Sequence, residues 1–268
     1  MLVNLRIVFR HAEDAGFLWA YRRRLIRTNQ LSHAERTRLD MRLDGHLDGL
    51  LISGEAGWKA CVDLMGSAPQ AGPLFAATAL AVAMDRRDRV ERILTRGAGN
   101  PSAIPAMASA LGWRDFDCVF PNLESWLASS DVYLQTLALR GFGVHRRRPT
   151  TSLGPYLAQS EGLVQRAAVK LAGEVGAVEH APAMRGLLAV ADEQARFESA
   201  RALAHFGDDS PAVRDALLAS CRVQGETGVK AARALVVLAP RDGSALFRCF
   251  AAEPHGRRLA AVVEADPQ

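Results

Sequence analysis

The chain has 268 residues, of which 49% are apolar and 23% are charged, and its formal net charge is +4. These values exclude a disordered chain, and the length suffices for one or two domains with a well-buried core. Aromatic residues make up only 6% of the chain while alanine is abundant, and both features favour packed helices over a large sheet. We therefore predict an all-α protein.

The excess of basic over acidic residues allows two interpretations. A sequence pI of about 9.1 is compatible with nucleic-acid binding, but a net charge of +4 over this length is a weak electrostatic signal.

The N-terminal sequence MLVNLRIVFRHAED lacks the uninterrupted apolar stretch of a secretory signal, and the longest apolar run, at 73–84, is shorter than the ~20 residues that a bilayer span needs. We therefore expect a cytoplasmic protein without a membrane partner.

The four cysteines are far apart and form no CxxC pair. Such spacing indicates buried reduced thiols rather than a disulfide framework or a zinc site.

The first two predicted helices lie in the N-terminal region. The segment FRHAEDAGFLWAYRRRLI (9–26) has apolar residues at helical spacing. Ser32 and Glu35 then form a capping box, which predicts a helix that begins near residue 33 and ends near Gly49 or Gly54.

The second of these helices contains RLDMRLDGHLDGL (38–50), which resembles a metal-binding loop at first sight. At 100° per residue its leucines form one stripe, with Asp40, Asp44 and Asp48 along one edge and His46 on the opposite edge. One helix cannot bring His46 and Asp44 to the same ion, so we predict an amphipathic helix without a metal. Its acidic edge is either solvated or a docking surface for a basic partner.

Three downstream segments align with one another: VQRAAVKLAGEVG (164–176), ARFESARALAHFG (195–207) and GVKAARALVVLAP (228–240). Each of these segments is predicted to end at a glycine or proline, and a similar helix end is predicted upstream. The four predicted ends are 33, 31 and 33 residues apart, at Gly143, Gly176, Gly207 and Pro240. Periods of this length are typical of helical repeats.

A shorter helix is predicted after each of these segments, at 181–190, 210–220 and 242–251. Ser210 and Pro211 have the residue types expected at the start of a helix. Upstream, first helices are predicted at 74–84, 104–113 and 132–143, which gives about six helix pairs from residue 72 to residue 252.

The first helices share the sequence pattern x-V-[RK]-x-A-A-x-A-L-[AG]. This pattern resembles that of HEAT-like repeats of the phycobilisome-lyase type. The resemblance implies a HEAT-like α-solenoid with an N-terminal helical cap. We accordingly divide the chain into a cap at 1–70, repeats at 71–255 and a tail at 256–268, which together form one continuous structural domain.

A second resemblance rests on RHAEDAGFLW (10–19) and RLDMRLDGHLDGL (38–50). These segments are similar to the N-terminal signature of a proteobacterial helical-repeat family found beside type VI secretion genes, which includes the immunity protein of a restriction-endonuclease-like DNase effector. The resemblance implies a protein partner, a nuclease effector toxin. It assigns no role to individual residues.

The sequence contains none of the metalloprotease, nucleophile-elbow, P-loop or dinucleotide-binding motifs. We therefore predict no catalytic, cofactor-binding or metal-binding residue and no small-molecule substrate. The predicted partner-binding residues lie in corresponding second helices, on what would be the concave face of a solenoid; they are Arg185, Arg214, Asp215 and Arg248.

Two alternatives stay open beside an immunity protein. An adaptor that loads an effector onto the secretion machinery would need the same kind of docking surface. A DNA-binding protein would use the basic clusters YRRRLIR (21–27) and HRRRP (145–149). Since the chain is basic, mimicry of DNA in the toxin's active site is disfavoured. We expect the chain to block toxin assembly or to cover a surface beside the active site.

Overall fold

The computed structural model describes residues 3–27, 31–66, 69–160, 162–189, 192–223 and 225–238. Within these ranges every regular element is helical, which confirms the all-α prediction. The α-helices are α1 (Leu5–Arg27), α2 (His33–Ile52), α3 (Glu55–Met65), α4 (Ala71–Ala83), α5 (Arg87–Arg96), α6 (Ala103–Leu111), α7 (Phe116–Leu127), α8 (Val132–His145), α9 (Gly154–Leu157), α10 (Gly162–Glu174), α11 (Ala181–Leu187), α12 (Glu193–His205), α13 (Pro211–Cys221) and α14 (Glu226–Leu238).

The chain forms two compact units, Met1–His145 and Arg146–Gln268. None of the helices in the described ranges has the length and apolarity needed to cross a membrane.

From α4 onward, every second helix begins at a regular interval. The helices α4, α6, α8, α10, α12 and α14 begin 29 to 33 residues apart. The helices predicted at 195–207 and 210–220 are confirmed as α12 and α13, with Ser210 as N-cap and a proline in the first turn. The helix predicted at 242–251 and the terminator Pro240 lie outside the described residues.

The capping box at the start of α2 is confirmed. The Ser32 hydroxyl accepts the backbone N–H of Glu35, and the Glu35 carboxylate accepts the backbone N–H of Ser32 at 3.0 Å. The helix runs through Gly49 to Ile52 and buries Leu43 and Leu50 completely.

Two predictions were wrong. Gly143 does not end a helix: α8 continues to His145, and the chain leaves it at Arg146, whose φ is +51°. Cys118 is not buried, because it lies on an outward-facing position of α7, whereas Cys61 and Cys221 are buried as predicted. Burial raises the pKa of the Cys61 thiol to about 12. Cys249 lies outside the described residues.

In the first unit, α4 is the central helix, and it contacts α1, α2, α3, α5 and α6. Phe75 of α4 is fully buried. Its ring stacks on Trp19 of α1 with centroids 5.0 Å apart and meets the Trp113 ring edge-on at 5.7 Å. This aromatic cluster ties α1 to the turn after α6, and it positions the indole of Trp113 at the surface.

In the second unit, α10, α12 and α14 pack successively against one another. Small residues permit the close approach: an added Cβ at Gly173 of α10 would lie 2.8 Å from the Cβ of Ala202 in α12. The shorter helices α11 and α13 both contact α12, and the loop after α12 leads directly into α13.

Candidate partner-binding surfaces

Two of the predicted partner-binding residues are held by adjacent carboxylates. Arg185 of α11 donates from Nε to Asp208 Oδ2 at 2.7 Å, and Arg214 of α13 donates from Nη2 to Asp209 Oδ2 at 2.6 Å. The two aspartates lie in the loop between α12 and α13. The structure therefore brings Arg185 and Arg214 to one place, and we call these four residues the Arg–Asp clamp.

The carboxylates of the clamp are ionised at neutral pH. Burial raises the pKa of Asp208, but hydrogen bonds from Arg185 and from Ser210 outweigh it and leave that pKa below its ordinary value. The hydrogen bond from Arg214 lowers the pKa of Asp209. The side chains of Arg185 and Arg214 nevertheless keep 55% and 36% of their surface exposed, so a partner can reach both guanidinium groups.

The other two predicted residues differ in status. Asp215 follows Arg214 on α13 and is exposed. Arg248 lies outside the described residues. Sequence reasoning did not select Asp208 and Asp209, although a pair of acids just before the helix start at Ser210–Pro211 could have indicated them.

The acids of α2 have three different environments. Asp40 forms a two-pronged ion pair with Arg22 of α1, whose second contact, from Nη2 to Asp40 Oδ2, measures 3.1 Å. Asp44 accepts a hydrogen bond from the indole Nε1 of Trp113. Asp48 is exposed. Asp40 thus joins α2 to α1, Asp44 joins it to the turn after α6, and Asp48 lines a cavity.

That cavity has a volume of about 270 Å³. Asp44 and Asp48 line it from α2 and Trp113 and Arg114 from the turn after α6, while leucines and alanines of α2 and α4 supply apolar surface. Drug-sized ligands occupy pockets of ~300–1,000 Å³, so this cavity is suited to one long side chain. Sequence reasoning missed Trp113 and Arg114, because only the packing of α6 against α4 brings them to α2.

These environments predict an order of stability effects along α2. Asp40→Ala should lower the free energy of unfolding by about 1–2 kcal/mol, because it leaves the largely covered guanidinium of Arg22 without its carboxylate. Asp48→Ala should change it by less than ~0.5 kcal/mol, as is usual for an exposed position. Urea denaturation of both variants checks the order, and equal losses would contradict it.

A pair of histidines links α1 to α2. The Nδ1 atoms of His11 and His46 are 3.0 Å apart, so one ring donates and the other accepts. The His46 ring also faces Asp14, whose carboxylate is 4.0 Å from its Nδ1. Partial burial lowers the pKa of His46; His11 and Arg42 lower it further, and Asp14 acts in the opposite direction.

This arrangement predicts a pH dependence of stability. Because the pKa of His46 is lowered on folding, its contribution is complete above the ordinary histidine pKa and is lost as the pH falls through the lowered value. His46→Gln should therefore lose less stability than the wild type between pH 7.5 and pH 5. Urea denaturation at both pH values measures the difference, and an identical loss in the two proteins would refute the role of His46.

The two basic clusters are partly used within the chain. In YRRRLIR, Arg22 binds Asp40 and the Arg23 guanidinium lies 5.5 Å from the centroid of the Trp19 ring. In HRRRP, Arg148 donates to Glu179 at 2.8 Å and to the carbonyl of Gly176 at 2.8 Å. Arg22 joins α1 to α2, Arg23 packs on its own helix, and Arg148 holds the loop after α8 to the turn after α10. These internal contacts weaken the case for either cluster as a phosphate-binding site.

In the described ranges, no three His, Cys, Asp or Glu side chains are close enough together to hold a metal ion. No protein-family model matches the chain, and no curated protein matches it either.

Proposed function

We propose that this protein is a helical-repeat binding protein of the HEAT-like type that neutralises a nuclease toxin of a type VI secretion system in the cytoplasm. The helix pairs of each unit would act as its repeats. The proposal rests on the sequence resemblance at 10–19 and 38–50 and on a surface suited to protein binding. It requires no catalytic residue, cofactor or metal of its own.

The observation that carries protein binding is the Arg–Asp clamp. Arg185 and Arg214 come from two successive short helices, and the carboxylates of Asp208 and Asp209 fix their positions. When a partner docks here, this chain loses little side-chain entropy, because its two long arginine side chains are already ordered. Arginine is also among the residues enriched at the energetic centres of protein interfaces.

The pairing also favours a protein partner over DNA. Each guanidinium of the clamp already faces a carboxylate, so the clamp adds no net positive charge with which to displace counterions from phosphates. A protein surface, in contrast, can offer carbonyls and carboxylates to the exposed edges of the guanidinium groups and basic side chains to Asp215.

The cavity of the first unit is a separate candidate contact for a protein partner. Its lining has two carboxylates against the one guanidinium of Arg114, so its net negative charge and its apolar surface suit a basic side chain of the partner, whose stem would pack on leucine while its charge meets Asp48. The Asp48→Lys variant should weaken partner binding without loss of stability, whereas unchanged affinity would remove the cavity from the interface.

Co-expression tests the function directly. We expect the reading frame adjacent to this gene to encode a protein with a nuclease domain; that protein should arrest growth of a host, and this chain should restore growth. The double variant Arg185→Glu/Arg214→Glu should fail to restore it, while Arg222→Glu, an exposed position of the same unit, should succeed. If the wild type and both variants restore growth, the clamp does not bind the toxin. If none of the three restores growth, the protein is not an immunity protein.

Deletion of the gene distinguishes an immunity protein from an adaptor. Loss of an immunity protein should make cells sensitive to toxin from their sisters, whereas loss of an adaptor should abolish delivery of the effector and leave the cells resistant.

A further inference from the structure

Helices α1 and α2 each place one imidazole at their contact, and the two rings meet through their nitrogens. The Nδ1 atoms of His11 and His46 are 3.0 Å apart, and the rings are inclined at 62° with centroids 5.2 Å apart. The rings therefore meet through edges that carry nitrogen rather than through their faces. A metal ion can take the place of the single proton that lies between two such nitrogens, because both lone pairs are then free to bind it.

The separation of the two nitrogens determines which ions fit. Imidazole nitrogens lie ~2.0–2.1 Å from a bound ion such as Zn²⁺, so two nitrogens 3.0 Å apart subtend about 90–100° at a shared ion. This angle matches adjacent positions of the square-planar or tetragonal geometry that Cu²⁺ and Ni²⁺ adopt. It is narrower than the ~109° of tetrahedral Zn²⁺.

The surroundings fix the two rings and leave them accessible. The His11 ring lies against the backbone of α2, where a Cβ added to Gly49 would be 2.9 Å from its Nε2, so the ring can lie this close only because residue 49 is glycine. The His46 side chain keeps 23% of its surface exposed, which admits an ion with its water. Partial burial lowers the pKa of His46, so its ring is neutral at pH 7.5 and can act as a ligand.

A carboxylate stands beside the two imidazoles. Asp14 follows His11 by three residues on the same face of α1, and its Oδ2 is 4.0 Å from His46 Nδ1. At this distance it is suited to accept a hydrogen bond from water bound to the ion. Arg42 also faces His46 and offsets the charge of Asp14. Within the described ranges no third His, Cys, Asp or Glu side chain completes a set of direct ligands, so water would occupy the remaining positions.

We propose that the Nδ1 atoms of His11 and His46 bind one divalent transition-metal ion of the Cu²⁺ or Ni²⁺ type, which joins α1 to α2. The site differs from a metal loop within 38–50, because its two ligands come from different helices. His46 and Asp44 of one helix cannot share an ion, but the packing of α1 on α2 gives His46 a second ligand that helical periodicity does not show. The inference is independent of the proposed toxin partner, since it concerns the purified chain alone.

Calorimetric titration of the full chain, without a purification tag, with NiCl₂ at pH 7.5 should show saturable binding of one ion per chain. His11→Gln and His46→Gln should each weaken binding at least ~10-fold, and Asp14→Asn should weaken it as well. His33→Gln is the matched control, because it removes an exposed histidine of α2, and it should leave the dissociation constant unchanged. MgCl₂ should not bind, since Mg²⁺ prefers oxygen ligands.

Two further measurements separate a ligand from a merely structural role. Electron paramagnetic resonance of the chain loaded with Cu²⁺ should show coupling to two imidazole nitrogens, and His46→Gln should lose this signal. NiCl₂ should raise the unfolding temperature of the wild type but not of His46→Gln, while circular dichroism checks that the variants stay helical. Absence of saturable Ni²⁺ binding, equal binding of Mg²⁺, or an affinity that both His11→Gln and His46→Gln retain would overturn the proposal.

Discussion

Phe75→Ala is expected to lower the free energy of unfolding of the first unit by about 3–5 kcal/mol, the usual range for loss of a fully buried phenylalanine. The ring lies between Trp19 and Trp113 and is completely buried on the central helix α4. Those indoles cannot close the gap by themselves, because Trp19 donates to Ser109 Oγ at 2.8 Å and Trp113 donates to Asp44. The cavity left by the substitution should therefore persist.

Urea denaturation measures this loss, with Phe17→Ala as the matched control. The control removes the same side chain from an exposed position and should change the unfolding free energy by less than ~0.5 kcal/mol. Equal losses in the two variants would contradict the central position of Phe75.

Gly72→Ala is expected to destabilise the first unit by about 2–3 kcal/mol, within the usual range for overpacking. Helices α1 and α4 cross at two glycines, and a Cβ added to Gly72 would lie 2.7 Å from the carbonyl oxygen of Gly16. Backbone cannot rotate away as a side chain can, so the two helices must separate. This loss should exceed the ~1 kcal/mol that alanine gains over glycine within a helix.

Gly45→Ala provides the control of opposite sign. An added Cβ at Gly45 meets nothing within 4 Å, so this variant should gain about 0.5–1 kcal/mol from helix propensity alone. Thermal unfolding of both variants decides the point: a gain in both would show that α1 and α4 do not cross at these glycines.

Local signals predicted the helices well. The capping box at Ser32 located the start of α2 at His33, and Ser210 followed by Pro211 located the start of α13. These signals succeed because a helix terminus must satisfy its own backbone groups with nearby residues. Gly143 was misleading because a glycine marks a helix end only where the chain turns, and the turn occurs at Arg146.

The partners of the charged residues could not be predicted in the same way. Asp40 and Asp48 have the same residue type and lie on the same edge of α2, yet Asp40 binds Arg22 of another helix and Asp48 lines a cavity. Similarly, Arg185 lies 23 residues before its partner Asp208. Such pairs depend on how the helices pack, and neither helical periodicity nor composition contains that information.

The central proposal is that the chain binds a nuclease toxin through the surface that carries the Arg–Asp clamp. Isothermal titration calorimetry of the purified chain with the protein that the adjacent reading frame encodes tests it most directly. We expect binding with a dissociation constant below about 1 µM and at least ~10-fold weaker binding for Arg185→Glu/Arg214→Glu. No heat of binding, or an affinity that the double variant leaves unchanged, would contradict the claim.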